Sequence, residues 1–187
     1  CKDFWEGKEK MKKYVIPVLS LFLITACVVG LLALTNHFTM GIIQERERCA
    51  AEEALEIVLP GGAPYTNISN IVEDLSIDTE AKFTCANQSD KGYVFTMVSK
   101  GYGGDIIVYV GINNEGKVVN IMLGDNEETP NLGKKAELPE FTSQFSGLSK
   151  EDEIPDKIDY ITRATITTDA VIVAVESALE IYSEVTK

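Results

Sequence analysis

The sequence is poor in the residues that hydrolytic and metal sites use. It contains a single histidine, His37, and it has no HExxH motif, no nucleophile elbow and no Walker loop. Its four cysteines are Cys1, Cys27, Cys49 and Cys85, and they form no CxxC pair and no cluster with the histidine. We therefore expect neither a metal site nor a catalytic residue of hydrolytic chemistry in this chain.

Positive charge is also scarce. The 187 residues include 17 Lys and Arg against 29 Asp and Glu, which gives a net charge of -12. No stretch of the chain forms a basic stripe that could neutralise nucleic-acid phosphates, so no nucleic-acid partner is expected. The remaining composition, 45% hydrophobic and 25% charged, is typical of one globular domain with an additional apolar segment.

The most conspicuous segment is a long apolar run. Residues 14–35 carry no charged side chain, and at about 1.5 Å per residue a helix of this length crosses a hydrocarbon core of roughly 30 Å. Lysines are concentrated before the run, whereas Glu45 and Glu47 follow it. The pattern predicts a single transmembrane helix in contact with membrane lipid, a cytoplasmic segment over 1–13, and a C-terminal part outside the cytoplasm.

One alternative for this region is a lipoprotein signal. Read from Met11, the sequence Met-Lys-Lys precedes an apolar run that reaches Ala26-Cys27, which resembles such a signal. The run continues to Leu34, and this continuation favours a retained helix. On the predicted topology Cys49 and Cys85 share the extracytoplasmic compartment, where both a disulfide and two free thiols remain open.

Helical periodicity predicts two helices after the membrane segment. Residues 36–60 are expected to form a juxtamembrane helix and linker, with apolar positions at helical spacing over 42–59. A second helix is predicted over 169–185, capped by Thr168 or Asp169. The apolar face of this second helix comprises Val171, Ala174, Val175, Ala178, Leu179 and Tyr182.

Between these helices the sequence favours β-strands. The predicted strands are 82–86, 93–98, 105–112 and 117–123. The last two flank Asn113-Asn114-Glu115-Gly116, which is typical of a hairpin turn. Loops are expected at 127–135 and 149–159, with a short helix over 138–145 that begins near Pro139. The predicted fold class is therefore α+β, with an antiparallel sheet packed against helices over residues 61–187.

The segment 159–168 carries the clearest chemical signal. Thr162, Thr165, Thr167 and Thr168 place four hydroxyls near the start of a predicted helix. Unpaired N–H groups and the helix dipole favour an anion there, so the segment suits a phosphate. From these residues alone, a helix cap with surplus β-branched residues is the simpler explanation.

A resemblance to a known family bears on this choice. The pattern Asp-x-x-Thr-x-Ala-Thr, which spans Asp159 to Thr165, resembles the flavinylation motif of the FMN-binding domain family. In that family a flavin transferase transfers FMN from FAD to the last threonine of the motif. The resemblance implies a covalent FMN phosphoester on Thr165, with Asp159, Thr162 and Ala164 at the other motif positions and Thr162 near the phosphate.

Two further segments extend the resemblance. Gly101-Tyr102-Gly103-Gly104-Asp105 and Glu128-Thr129-Pro130-Asn131-Leu132-Gly133 occur in the order and spacing typical of G subunits of Rnf-type ion-translocating complexes. The C subunit of the sodium-pumping NADH:quinone reductase is similar. The resemblance implies that the flavin ring lies against the second segment, with Thr129 and Leu132 as its nearest contacts and Glu128 and Gly133 beside them. From the residues alone, the glycine-rich segment is either a tight turn or a ligand contact.

The resemblance implies a function as well. It indicates an electron-transfer subunit, in a membrane complex with other subunits, that couples electron flow between ferredoxin and NAD to sodium or proton pumping. Two positions depart from the family pattern, because Arg163 and Asn131 stand where glycine is usual. An anchored flavin-binding or sensing domain, and a structural subunit whose motif has decayed at Arg163, remain as alternatives.

Overall fold

The computed structural model describes residues 17–19, 21–31, 52–75, 77 and 79–187. The chain divides into two compact units, Cys1–Ala50 and Ala51–Lys187. In the first unit the described residues are helical and their side chains are exposed. Within these described ranges, no helix is both long enough and apolar enough to cross a membrane. The predicted span over 14–35 lies partly outside them and stays a prediction.

The second unit contains a five-stranded antiparallel meander. Its strands are β1 (Thr66–Asn67), β2 (Lys82–Ser89), β3 (Gly92–Lys100), β4 (Asp105–Asn113) and β5 (Val118–Leu123), and they lie side by side in chain order. The four predicted strands and the hairpin between the last two are confirmed. The two-residue strand β1 was not predicted, because so short a segment shows no alternation.

Helices pack on both faces of this sheet. They are α1 (described over 52–58), α2 (Ser69–Asp74), α3 (Pro139–Thr142), α4 (Ile154–Lys157) and α5 (Thr165–Val185). A 3-10 helix, Gly133–Glu137, precedes α3, and a second one, Ser143–Phe145, follows it. The α+β fold class is therefore confirmed for this unit.

The main core lies between the sheet and α5. Alternate residues of β4, namely Ile106, Val108, Val110 and Ile112, are fully buried on the face that α5 covers. This alternation is what a strand with one face in the core requires. The predicted apolar face of α5 is also confirmed, since five of its six members are buried and the sixth, Tyr182, is partly buried.

A smaller core lies on the opposite face of the sheet. Leu55, Val58 and Leu59, at the end of α1, pack there with Val94 of β3. A Cβ at Gly111 of β4 would lie 2.1 Å from the Val58 carbonyl oxygen, so glycine is needed for this close approach. The predicted helix over 42–59 is present from residue 52, and its earlier part, together with Cys49 and His37, lies outside the described residues.

Three sequence-based boundaries were wrong. Helix α5 begins at Thr165 rather than Asp169, and its N-cap residue, Ala164, provides no side-chain cap. The segment expected to be a loop over 127–135 enters the 3-10 helix at Gly133. The segment expected to be irregular over 149–159 contains α4, because Ile154 is buried in the main core and Pro155 suits the first turn of a helix.

Candidate functional site

A cleft of about 490 Å³ opens where three segments meet: the turn after β3, the loop after β5 and the start of α5. It is lined by Tyr102, Glu128, Thr129, Leu132, Gly133, Arg163, Ala164, Thr165, Ile166 and Thr167. Six of the eight predicted site residues are among these. The segments are distant in sequence, so the meander and the return of α5 across it create the cleft.

The loop after β5 contributes a tight turn to the cleft. The Leu132 N–H donates to the Thr129 carbonyl at 3.1 Å, and Asn131 has a φ of 63°. Proline at the second position and a positive φ at the third are the pattern of a type II turn. Asn131 therefore occupies a left-handed position that suits glycine, and asparagine tolerates this position better than most residues. The turn leaves Thr129 exposed and Leu132 half-buried at the cleft.

The segment before α5 forms a second turn of the same kind. The Ala164 N–H donates to the Ile161 carbonyl at 2.9 Å, and Arg163 at the third position has a φ of 67°. Both departures from the family's glycines thus fall at left-handed positions, which explains why glycine is usual there. The Arg163 side chain is exposed and lines the cleft next to Thr165.

The four hydroxyls near the start of α5 have different surroundings. The buried Thr168 hydroxyl donates to the Ala164 carbonyl at 3.0 Å, and the buried Thr167 hydroxyl donates to Glu128 Oε2 at 2.6 Å. Thr162 and Thr165 are exposed, and only Thr165 of these two lines the cleft. Of the four hydroxyls, two therefore have partners within the protein, and the Thr165 hydroxyl lies at the cleft.

Two predicted site residues lie away from the cleft lining. Thr162 is exposed in the turn before α5, and the Asp159 side chain is exposed while its N–H donates to Gln144 Oε1 at 2.7 Å. Asp159 and Thr162 thus shape the approach to α5 without facing the cleft. The predicted motif position of Asp159 and the predicted place of Thr162 near the phosphate stay predictions.

Glu128, which was predicted to lie beside the flavin ring, is buried within the protein. Its side chain is only 3% exposed, and its two carboxylate oxygens accept hydrogen bonds from the Gly103 N–H at 2.9 Å and from the Thr167 hydroxyl. Both oxygens therefore have partners within the protein. Glu128 forms the floor of the cleft rather than an exposed wall.

The exposed walls of the cleft include two residues that the sequence patterns did not assign to the site. Tyr102 is 72% exposed and Ile166 is 53% exposed, although both are large and apolar. Tyr102 lies in the glycine-rich turn, where the Gly101 N–H donates to the Gly104 carbonyl at 2.8 Å. That segment is therefore a tight turn and also a cleft wall. The glycine-rich sequence around Tyr102 indicated either a tight turn or a ligand contact, whereas no sequence pattern pointed to Ile166.

Two groups near α5 have shifted pKa values, and both lie outside the cleft lining. The Asp169 carboxylate raises the pKa of Tyr160, mainly through a side-chain hydrogen bond. Further along α5, burial and the charge of Glu80 raise the pKa of Glu176. Arg163 is the cationic residue among those that line the cleft. An anion at the cleft would therefore be favoured near Arg163 and the first N–H groups of α5.

Comparison with known proteins agrees with this site. The FMN-binding domain family matches residues 101–180, a range that contains the glycine-rich turn, the loop after β5 and the start of α5. The fold and the cleft thus belong to an FMN-binding domain.

Relatives identify the chain more closely. It is 31% identical to the G subunit of the Na(+)-translocating ferredoxin:NAD(+) oxidoreductase complex of Acetobacterium woodii, over 97% of this chain and 100% of the relative. It is 26% identical to the G subunit of the proton-translocating ferredoxin:NAD(+) oxidoreductase complex of Clostridium ljungdahlii, over 93% and 95%. For the G subunit of an ion-translocating oxidoreductase complex of Vibrio cholerae the identity is 29%, over 89% and 88%. The chain belongs to this family of G subunits.

The residues of the cleft fit an FMN group. Ligand pockets commonly have volumes of about 300–1,000 Å³, and this cleft falls within that range. Tyr102, Leu132 and Ile166 offer apolar surface for a planar ring. Thr165 and the N–H groups of the first turn of α5 offer a hydroxyl and donors for a phosphate.

Proposed function

We propose that this chain is an electron-transfer subunit of an ion-translocating ferredoxin:NAD oxidoreductase complex and that it carries FMN as a phosphoester on Thr165. Membership of the G-subunit family and the FMN-binding domain support the electron-transfer role. The relatives include both sodium- and proton-translocating complexes, so either ion fits the proposal. The other subunits of such a complex would be its partners.

One observation carries the choice of Thr165. Of the two threonines in the first turn of α5 that line the cleft, Thr165 is the exposed one, and no protein partner for its hydroxyl is found within the described part of the chain. Thr167, the other one, is buried and donates to Glu128. Thr129 also lines the cleft, but it lies in the loop after β5 and outside the motif. A free, accessible hydroxyl beside backbone N–H donors and Arg163 is what a phosphoester requires.

The proposed attachment reaction transfers FMN from FAD to Thr165 and releases AMP. The Thr165 oxygen attacks the FMN phosphorus of FAD, the bond from that phosphorus to the bridging oxygen breaks, and AMP leaves while the hydroxyl proton is lost. A flavin transferase would provide the general base, since no hydrogen bond joins the Thr165 hydroxyl to a described residue that could act as one. Arg163 would stabilise the negative charge on the phosphate oxygens.

The remaining residues of the cleft would position the cofactor. FMN supplies one- and two-electron redox chemistry by itself, and the protein supplies position, polarity and hydrogen bonds. Leu132 and Ile166 would exclude water from the ring, and the exposed hydroxyl of Thr129 would donate to it or accept from it. No acid or base of this chain is needed for electron transfer.

We also place the domain over 61–187 outside the cytoplasm, behind a transmembrane helix over 14–35. The lysine-rich segment before the uncharged run supports this orientation. A covalent bond then has a clear advantage, because FMN that dissociated outside the cell would be lost.

The decisive test is the intact mass of the chain isolated from its own cells. We expect the polypeptide mass plus one FMN less one water. Thr165→Val should remove both this increment and the flavin fluorescence that survives on a denaturing gel, whereas Thr66→Val, at an exposed threonine outside the motif, should keep them. A bare polypeptide mass, or fluorescence that persists in Thr165→Val, would refute the assignment.

A further inference from the structure

One buried side chain touches all three segments that build the cleft. Glu128 Oε1 accepts a hydrogen bond from the Gly103 N–H at 2.9 Å, and Oε2 accepts one from the Thr167 hydroxyl at 2.6 Å. Its own N–H donates to Asn126 Oδ1 at 3.2 Å. The carboxyl group thus links the glycine-rich turn, the loop after β5 and the first turn of α5.

Glycines leave the space that this carboxyl group occupies. A Cβ at Gly101 would lie 2.4 Å from Glu128 Oε1, and a Cβ at Gly133 would lie 2.2 Å from Oε2. Both distances are far below a van der Waals contact, so a side chain at either position would displace the carboxyl group. Backbone atoms therefore surround Glu128 on two sides, and its position has little freedom.

The same contact orients the start of α5. Successive residues of an α-helix are about 100° apart around its axis, so Thr165 and Thr167 lie about 160° apart and face opposite directions. Thr167 donates to Glu128 at the floor of the cleft, whereas Thr165 is exposed and lines the cleft. The hydrogen bond from Thr167 to Glu128 thus helps to hold this first turn in the rotation that leaves Thr165 exposed.

Stability alone does not explain why an acidic residue, Glu128, is buried at this position. Among the ion pairs between described residues, none involves Glu128. Burial of a carboxyl group is unfavourable unless hydrogen bonds or a cation compensate for it, and an apolar side chain avoids that penalty. The hydrogen bonds to two separate segments point instead to a geometric role.

We propose that Glu128 is the positioning residue for flavin attachment: through Thr167 and Gly103 it holds the first turn of α5 so that the Thr165 hydroxyl faces the flavin transferase. This role rests on the proposed function, in which Thr165 receives FMN. The carboxyl group of Glu128 accepts hydrogen bonds from Gly103 and Thr167 rather than from Thr165, so it acts through the orientation of the helix.

The test measures the rate of flavin attachment in vitro. Flavin-free full-length chain, produced without flavin transferase, is incubated with purified transferase and FAD, and the mass of the chain is followed over time. Glu128→Met keeps the length of the side chain but removes both accepting oxygens, and we expect attachment to slow at least roughly tenfold, as misplacement of a reacting group does. Glu127→Met, the same change at the exposed neighbour, should stay within about twofold of the wild type.

A second set of variants separates orientation from folding. Thr167→Val removes the donor and should slow attachment as Glu128→Met does, whereas Thr167→Ser keeps the hydroxyl and should restore the rate to within about threefold of the wild type. The double variant Glu128→Met/Thr167→Val should be no slower than the slower single variant, because both changes break the same contact. Circular dichroism checks that each variant has the wild-type fold.

The outcomes distinguish the two proposals. A wild-type chain that accepts no FMN contradicts the proposed function itself. A wild-type chain that accepts FMN, together with a folded Glu128→Met variant of equal rate, overturns only the positioning role. If Glu128→Met is unfolded, the Thr167 pair decides the matter, and equal rates for Thr167→Val and Thr167→Ser overturn the positioning role.

Discussion

Replacement of Arg163 by glycine should stabilise the protein. Arg163 has a φ of 67°, a left-handed conformation that is unfavourable for residues with a Cβ by roughly 1–2 kcal/mol. Glycine avoids that strain, but it loses about 0.5–1 kcal/mol more conformational entropy on folding. The Arg163 side chain is exposed, so its removal leaves no cavity. We therefore expect a net gain of about 0.5–1 kcal/mol, or a Tm rise of about 1–4 °C for a chain of this length.

Two matched variants isolate the backbone effect. Arg163→Ala removes the guanidinium group but keeps a Cβ, so it should leave the Tm nearly unchanged. Asn131→Gly, at the other left-handed position, should gain only a few tenths of a kcal/mol, since asparagine tolerates this conformation. The assay is thermal unfolding followed by circular dichroism, with every variant in a flavin-free Thr165→Val background. The reasoning is refuted if Arg163→Gly is no more stable than Arg163→Ala.

The remaining predictions concern the flavin ring and the orientation of the chain. Thr129→Val should keep the fold and the covalent flavin but shift the flavin potential by about 40 mV, which corresponds to one lost hydrogen bond of about 1 kcal/mol for one electron; superimposable redox titrations would show that the loop around Thr129 is only structural. On intact cells, a membrane-impermeant thiol reagent should label Asn114→Cys, in the exposed hairpin, more strongly than the parent chain with its own cysteines. Labelling that requires lysis would place the domain in the cytoplasm.

Much of the fold could be predicted from local patterns. Strand β4 alternates strictly between apolar residues that face α5 and residues on the other face, and α5 repeats its apolar positions at helical spacing. Such periods report which face of an element is buried, whatever the element packs against. The motif from Asp159 to Thr165 likewise indicated where a flavin would be attached. In addition, the family pattern has glycine at the positions of Arg163 and Asn131, which indicated a backbone with positive φ there.

Other features depended on contacts between distant residues. Helix α5 begins at Thr165, although threonine is a weak helix former, because Thr167 and Thr168 find partners for their hydroxyls at Glu128 and Ala164. Tyr102 and Ile166 reach one cleft only because the turn after β3 and the start of α5 meet across the sheet.

The order of the amino acids was thus enough to predict the four longer strands, the buried face of α5 and, through the family resemblance, the motif at which a flavin is proposed to attach. Which threonine hydroxyl is free and which is buried followed only from the packing of the folded chain. The reason is that side-chain periodicity is a local property, whereas the burial of Glu128 and the direction of Thr165 follow from contacts between segments more than 20 residues apart.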